Sequence, residues 1–252
     1  MQELILKDKA ILIADAHENT QRRGFWKFLQ ALKNNEISTP QLILMGDIFD
    51  LLIGEISTTH DFAKPYIYLL EELAQTIEII YLEGNHDFNL SCFFKKVKIF
   101  PIKTQPLKLK LHTSKVKNEN SYIFLAHGDI FLSPCLQILL KSLRNHYLLV
   151  FLNWINQISF HAISKKILKN QNQKNLFYKI QNFENLANER YLKYNNLGSW
   201  VCEGHYHQNF ILNKKNIKYF NPDSFAHKES FFLVEYKQEI EFREQKLRGQ
   251  NV

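Results

Sequence analysis

Between Ile130 and Phe183 the chain carries no aspartate or glutamate, a gap of 54 residues in a sequence that holds 25 acids in 252 residues. The same stretch carries Lys141, Arg144, Lys165, Lys166, Lys169, Lys174 and Lys179, interleaved with runs such as Tyr147-Leu148-Leu149-Val150-Phe151-Leu152. A solvated helical face mixes both signs of charge. A basic, apolar one suits an anionic amphiphile or a membrane surface. Glycine (8) and proline (6) are scarce while Phe (20) and Tyr (11) are abundant, which excludes a low-complexity or disordered chain. Cysteine is scarcer still: Cys92, Cys135 and Cys202 are far apart, odd in number and form no CxxC, so neither a disulfide framework nor a cysteine zinc site is expected. The amino terminus lacks the apolar core and small-residue cleavage site of a signal peptide. Together these point to a reduced, cytoplasmic setting, with peripheral contact at the inner face of the cytoplasmic membrane. No apolar run approaches the ~18 residues of a membrane span, and no repeat is evident.

What is present reads as α/β. Residues 9–15 and 41–46 are continuous apolar segments of the kind buried on both faces, and between them Phe25, Phe28, Leu29 and Leu32 fall at helical spacing within residues 20–34. A helix over 60–75 and a strand over 76–82 extend the crossover pattern. Shorter strands follow at Val97–Pro101, Leu107–His112 and Tyr122–Ala126, with a polar turn near Lys117–Asn120. Helical periodicity returns over 133–196 with a polar break near 169–175. β-type alternation resumes from Ser199, with hairpin turns at Asn213–Asn216 and Tyr236–Glu239. The expectation is one domain over residues 1–252 with a helical insertion at about 133–197.

The polar residues collect where strands end. Asp15-Ala16-His17, Gly46-Asp47-Ile48-Phe49-Asp50, Gly84-Asn85-His86-Asp87, Ala126-His127-Gly128-Asp129 and Gly204-His205-Tyr206-His207 each follow an apolar segment, the edge at which α/β sheets bind ligands. Taken singly, each has a bland reading: a lone histidine near a strand is usually a hydrogen-bonded structural residue, and an aspartate after glycine usually caps a helix. Together they hold five of the ten histidines. Asp15, Asp47, Asn85, His17, His127, His205 and His207 form the mixed oxygen and nitrogen set suited to two divalent transition ions, and thiolates are missing from every cluster.

The ordered series DxH, GDxxD, GNHD, HGD, GHxH, running from residue 15 to residue 207, resembles the calcineurin-like metallophosphoesterase superfamily. The resemblance implies an αββα sandwich and phosphoester or pyrophosphate hydrolysis with two divalent metal ions, often manganese. By position it implies Asp15, His17 and His207 at one metal, Asn85, His127 and His205 at the other, and Asp47 between them. His86 is then the candidate proton donor or phosphate-stabilising group, with Asp87 orienting it by accepting its other N–H.

Leu51-Leu52 stand where the protein serine/threonine phosphatases of that superfamily carry Arg-Gly, and the chain has little length for the added domains of its nucleases. In position and character the insertion resembles the helical lid of the UDP-2,3-diacylglucosamine diphosphatases of lipid A biosynthesis, which release UMP and a lipid monophosphate. His86 departs from that family's arginine after the asparagine, and Tyr206, Gln208 and Asn209 depart from its fifth motif. On this reading Arg144, Lys165, Lys166 and Lys169 are headgroup candidates, and Phe151, Trp154 and Ile155 are candidates for the acyl pocket. A soluble phosphodiesterase or phosphatase acting on nucleotides is the alternative, and a non-catalytic membrane-surface adaptor conflicts with a complete ligand set. Nucleic acid is not an expected partner, since the cations sit in aliphatic sequence rather than a polar, aromatic-studded groove.

Overall fold

Strands that are apolar on both faces need cover on both sides, and the fold supplies it with two stacked sheets and helices outside them. The computed structural model describes residues 3–111, 122–172, 175–195, 197–214 and 216–247. One sheet runs in the order Ile240–Lys246, Ser230–Tyr236, Ile11–Ile13, Gln41–Leu44, Glu78–Leu82, Lys98–Phe100. Its four strands from Ile11–Ile13 to Lys98–Phe100 are parallel. The other runs Ile5–Leu6, Leu107–Leu111, Tyr122–Ala126, Trp200–Glu203, Ile217–Asn221, Phe210–Lys214. Leu12, Ile43, Ile80 and Leu82 from the first meet Leu109, Ile123, Leu125 and Phe220 from the second in a dry layer between the sheets.

The outer faces carry the helices. Gly24–Lys33 and His60–Leu73 lie on the first sheet and bury Phe25, Phe28, Leu29, Tyr66 and Leu70. Each such side chain contributes roughly 1.5–3 kcal/mol. Helix Phe183–Lys193 covers the second sheet, with Phe183, Ala187 and Tyr191 against Phe124, Val201 and Tyr219. This completes the αββα sandwich.

The stretch read from sequence as one insertion thus has two parts. Helices Pro134–Leu143, His146–Ile158 and Ala162–Asn172 stand over the strand ends, whereas Phe183–Lys193 belongs to the outer layer of the sandwich. The polar break expected near 169–175 begins later, since the third helix continues to Asn172; residues 173–174 lie outside the described residues, as does the turn expected at Lys117–Asn120. Both expected C-terminal hairpins are present as antiparallel pairs.

Candidate metal centre

All five polar clusters emerge at one edge of the sandwich. Their backbones are unusual: Asp15, His17, Asp47, His205 and His207 all have positive φ, between 44° and 66°. Such conformations are disfavoured for residues with a Cβ and persist where surrounding contacts over-determine them. The glycines between them let the chains close up. A Cβ on Gly46 would lie 2.6 Å from His127 Nδ1, and one on Gly84 would collide with the Asp47 carboxylate.

Hydrogen bonds to the backbone aim the rings. His127 Nδ1 donates to the Met45 carbonyl (2.9 Å), which leaves Nε2 3.4 Å from Asp47 Oδ2 and 3.2 Å from Asn85 Oδ1. His207 Nδ1 donates to the Leu176 carbonyl (3.0 Å), which leaves Nε2 3.2 Å from Asp15 Oδ1. Asp15 accepts the His205 N–H, tying the first cluster to the fifth. Asp47 Oδ1 accepts the His86 N–H (2.8 Å), so Oδ2 is the oxygen that faces inward. Three overlapping groups, Asp15/His17/His207, His17/Asp47/His86 and Asp47/His127/His205, each bring their ligand atoms within 4.8 Å of one another. Asp47 is common to two of them. Inward-facing Nε2 and carboxylate oxygen atoms, with the other ring nitrogens of His127 and His207 already committed, are the donor arrangement a divalent metal pair takes.

Charge in the cluster is balanced internally. Burial by itself would raise the Asp47 carboxyl, yet the surrounding His127, His86 and His17 hold it well below the usual carboxylate range. Burial likewise opposes a low value at Asp15, and His207 overcomes it. His127 is pushed well above the ordinary histidine value by Asp47 against its own desolvation, whereas burial lowers His17 and His205.

Asp87 departs from expectation. His86 Nδ1 donates to the Asp50 carbonyl (2.8 Å), so Asp87 does not orient it. The Asp87 carboxylate instead accepts the N–H groups of Asp47 (2.9 Å), Ile48 (2.6 Å) and Gly84 (3.0 Å) and the Tyr81 hydroxyl (2.5 Å). It is a buckle joining the second and third clusters. Burial, reinforced by Asp47, raises it to about 7. Asp50 is also inside: both its oxygens accept from Arg22 Nη2 (2.8 and 2.7 Å), and it lies 3.4 Å from His17 Nδ1. Supporting residues that the motifs gave no signal for include Gln105, whose Oε1 accepts the His127 N–H, and Ser224, whose hydroxyl donates to the Asp15 carbonyl. Their partners are distant in sequence, and only the fold unites them.

The lid residues divide. Arg144 lies at the site, where Nη2 donates to the Gly84 carbonyl (3.0 Å) and to Asp129 (2.7 Å). It also walls two cavities. One of about 260 Å³ is lined by Asn85 together with Leu51, Phe88, Leu143, Leu152 and Ile163. The other, of about 710 Å³, is bordered by Glu55, Asp129, Lys103, Lys141 and His146. Phe151 and Trp154 are over half exposed, stack on each other, and line neither. The helix rotates Leu149, Leu152 and Asn156 inward at i, i+3 and i+7, so Phe151, Trp154 and Ile155 fall outside the pocket assigned to them. Lys165, Lys166 and Lys169 are exposed and border neither cavity.

Comparison with known proteins agrees with this architecture. A family model described as calcineurin-like phosphoesterase matches residues 9–209. The chain belongs to that family. It is similar to UDP-2,3-diacylglucosamine hydrolase of Pseudomonas fluorescens, 26% identical over 161 residues, 62% of this chain and 61% of that protein. The protein of the same name from Shewanella halifaxensis is 27% identical over 89 residues, 35% of this chain and 37% of that one. The matches therefore span less than two thirds of either relative. Among solved structures, the E. coli phosphoesterase Yfce aligns over 95% of this chain and 100% of that one at 14% identity and TM-score 0.45. No helix among the described residues is long and apolar enough to cross a membrane.

Proposed function

We propose that this protein is a metal-dependent hydrolase that cleaves a pyrophosphate in an acylated nucleotide sugar of the UDP-2,3-diacylglucosamine type, releasing UMP and a lipid monophosphate. Asp15, His17 and His207 would hold one divalent ion and Asn85, His127 and His205 the second, with Asp47 common to the groups on either side. Manganese suits this oxygen and imidazole set. When bound, such a pair supplies a nucleophile at neutral pH and neutralises charge on the phosphoryl oxygens. The protein's own part is positional. His127, fixed by its bond to the Met45 carbonyl, and Asn85 beside it face the site from one side. His86, anchored through Nδ1, presents Nε2 toward the site 3.9 Å from Asp47, so a proton passed to a leaving oxygen departs from that atom.

The observation that carries the lipid reading is the apolar cavity that shares Asn85 with the metal centre and is roofed by lid side chains. A substrate with phosphate at Asn85 and an alkyl chain toward Leu152 and Ile163 fills both. Arg144, at the junction of the two cavities, is the headgroup cation. The outward apolar face and the lysines of the third lid helix make peripheral contact with an anionic membrane. The larger cavity, with Lys103, Lys141 and Arg144 on its border, favours a second reading, hydrolysis of nucleotides or other small phosphoesters.

Hydrolysis of a UDP-diacyl sugar beside a simple chromogenic diester, both with Mn2+, tests the assignment. Preference for the acylated substrate is expected, and equal or greater turnover of the diester rejects the lipid reading. His86→Ala is expected to lower kcat roughly 10²–10⁴-fold with both ions still bound; unchanged turnover removes His86 from proton transfer.

A further inference from the structure

Helix Phe183–Lys193 packs outside the second sheet, yet one of its charged residues reaches the back of the metal centre. Arg190 is 3% exposed and Glu203, the last residue of its strand, is fully buried. Arg190 Nε donates to Glu203 Oε2 (3.1 Å) and Nη2 donates to Glu203 Oε1. The other donors leave the pair: Nη2 also donates to the Gly128 carbonyl (3.1 Å) and Nη1 to the Ile130 carbonyl (2.9 Å). The guanidinium lies between the rings of Phe131 (5.4 Å) and Tyr206 (5.6 Å). Glu203 accepts two further bonds, from the hydroxyls of Tyr194 (2.6 Å) and Tyr219 (2.8 Å).

Gly128 follows His127, and Glu203 precedes Gly204-His205. One ion pair thus grips the backbones on which both imidazoles are mounted, and their ring centroids are 5.2 Å apart. Both loops are conformationally demanding, with φ of +118° at Gly128 and +66° at His205. A buried ion pair is a weak source of net stability, since apolar replacements of similar volume are often neutral or better. A two-pronged arginine with fixed fork geometry is, however, a good spacer.

We infer that Arg190 and Glu203 are positioning residues, a buried strut that sets the separation of His127 and His205 and so the affinity of the metal position these two histidines share. The inference rests on the metal-centre reading above. Asp15, His17 and His207 have no direct bond to Arg190 or Glu203, and the first of them is linked only through the His205 N–H, so the larger effect falls on the ion that His127 and His205 share.

Arg190→Lys retains charge without the fork, and Glu203→Gln retains shape without charge. For each, Mn2+ binding is titrated calorimetrically and followed by electron paramagnetic resonance, which distinguishes a coupled ion pair from an isolated ion. The expected result is loss of affinity for one ion by about 10–100-fold, the range for removing an outer partner of a ligand. The other ion loses markedly less affinity, the coupled signal weakens, and kcat falls while KM holds. Unchanged affinities, or equal loss at both ions together with a lowered Tm, overturn the strut. Should these variants not fold, Tyr219→Phe, which deletes a single bond to Glu203, decides: a smaller selective loss supports the inference and none overturns it. A wild-type chain that binds fewer than two ions refutes the metal-centre reading instead, and the two failures are therefore distinguishable.

Discussion

The strand-end loops and the lid helices border the same cavity but are held in opposite ways. Around the metal centre, most side chains are buried, the carboxylates are met by several donors, and five of the seven ligand candidates occupy left-handed backbone conformations that neighbouring bonds enforce. In the lid, Ile138, Tyr147, Phe151, Trp154 and Phe160 are more than half exposed, and the helices meet the body through one small apolar cluster, Leu149 on Ile53, Ile56 and Phe88, and polar contacts such as His146 with Glu55 and Ser57 with Asn153. Rigidity is concentrated where charge must be placed to within fractions of an ångström. A tail of methylene groups needs only volume and dryness, so the surface that receives it can remain adjustable. Damage to the first region should therefore abolish chemistry on every substrate, and damage to the second should alter preference alone.

The sharpest way to break that contrast is Asp47→Asn. It leaves volume unchanged but removes the charge that balances His127, His86 and His17. Activity on a small diester and on an acylated substrate is expected to fall together, by more than the ~10–100-fold typical of losing an outer partner. Metal content measured by atomic emission should fall below two ions per chain. Loss of acylated turnover alone would show that the two regions are not separable as described.

A second comparison sets the inside of the lid against its outside. Ile163 lines the apolar cavity and is partly exposed, so Ile163→Trp occupies that space without rebuilding the core. KM for the acylated substrate in detergent is expected to rise about tenfold, equivalent to roughly 1.4 kcal/mol, while the diester is unaffected. Trp154→Ala, on the outward face, should leave both KM values alone in detergent. A large effect of Trp154→Ala under those conditions would return Trp154 to the pocket.

Legibility in the sequence follows the same division. Asp15, His17, Asp47, Asn85, His127, His205 and His207 are legible as candidates because each belongs to a short cluster at the end of an apolar run, and the fold needs only to bring the strand ends to one edge. The lid's helical and apolar character is legible in its sequence, yet which face turns inward depends on the angle at which helix His146–Ile158 meets Ile53, Ile56 and Phe88, a tertiary fact. With apolar residues all round that helix, periodicity had no polar face to mark. Adjacency in sequence pairs Asp87 with His86, but a residue next in sequence points elsewhere when the chain turns; its carboxylate is claimed by five donors, from the second and third clusters and from Tyr81. Arg190 and Glu203 had no signal at all. Thirteen positions separate them, and neither lies inside a recognisable motif.

The last prediction concerns stability rather than turnover and falls on Glu18, which borders the rigid region without touching its chemistry. Its carboxylate accepts the N–H groups of Phe25 (2.9 Å) and Trp26 (3.0 Å) at the start of helix Gly24–Lys33 and the Tyr66 hydroxyl (2.8 Å). Burial nevertheless outweighs these bonds and raises the group to about 7. The folded protein then holds this proton more tightly than the unfolded chain, whose value is near 4.5. The stabilisation is complete below pH 4.5, declines as pH climbs, and is gone above 7, with an upper bound on the order of 3 kcal/mol. In metal-free protein, where no cation perturbs the neighbouring His17, the denaturant midpoint should fall between pH 5 and 7.5 by more in the wild type than in Glu18→Gln. Parallel curves would mean that the carboxylate bonds to Phe25, Trp26 and Tyr66 offset desolvation in full, and that the helix start is as well solvated by the protein as the unfolded chain is by water.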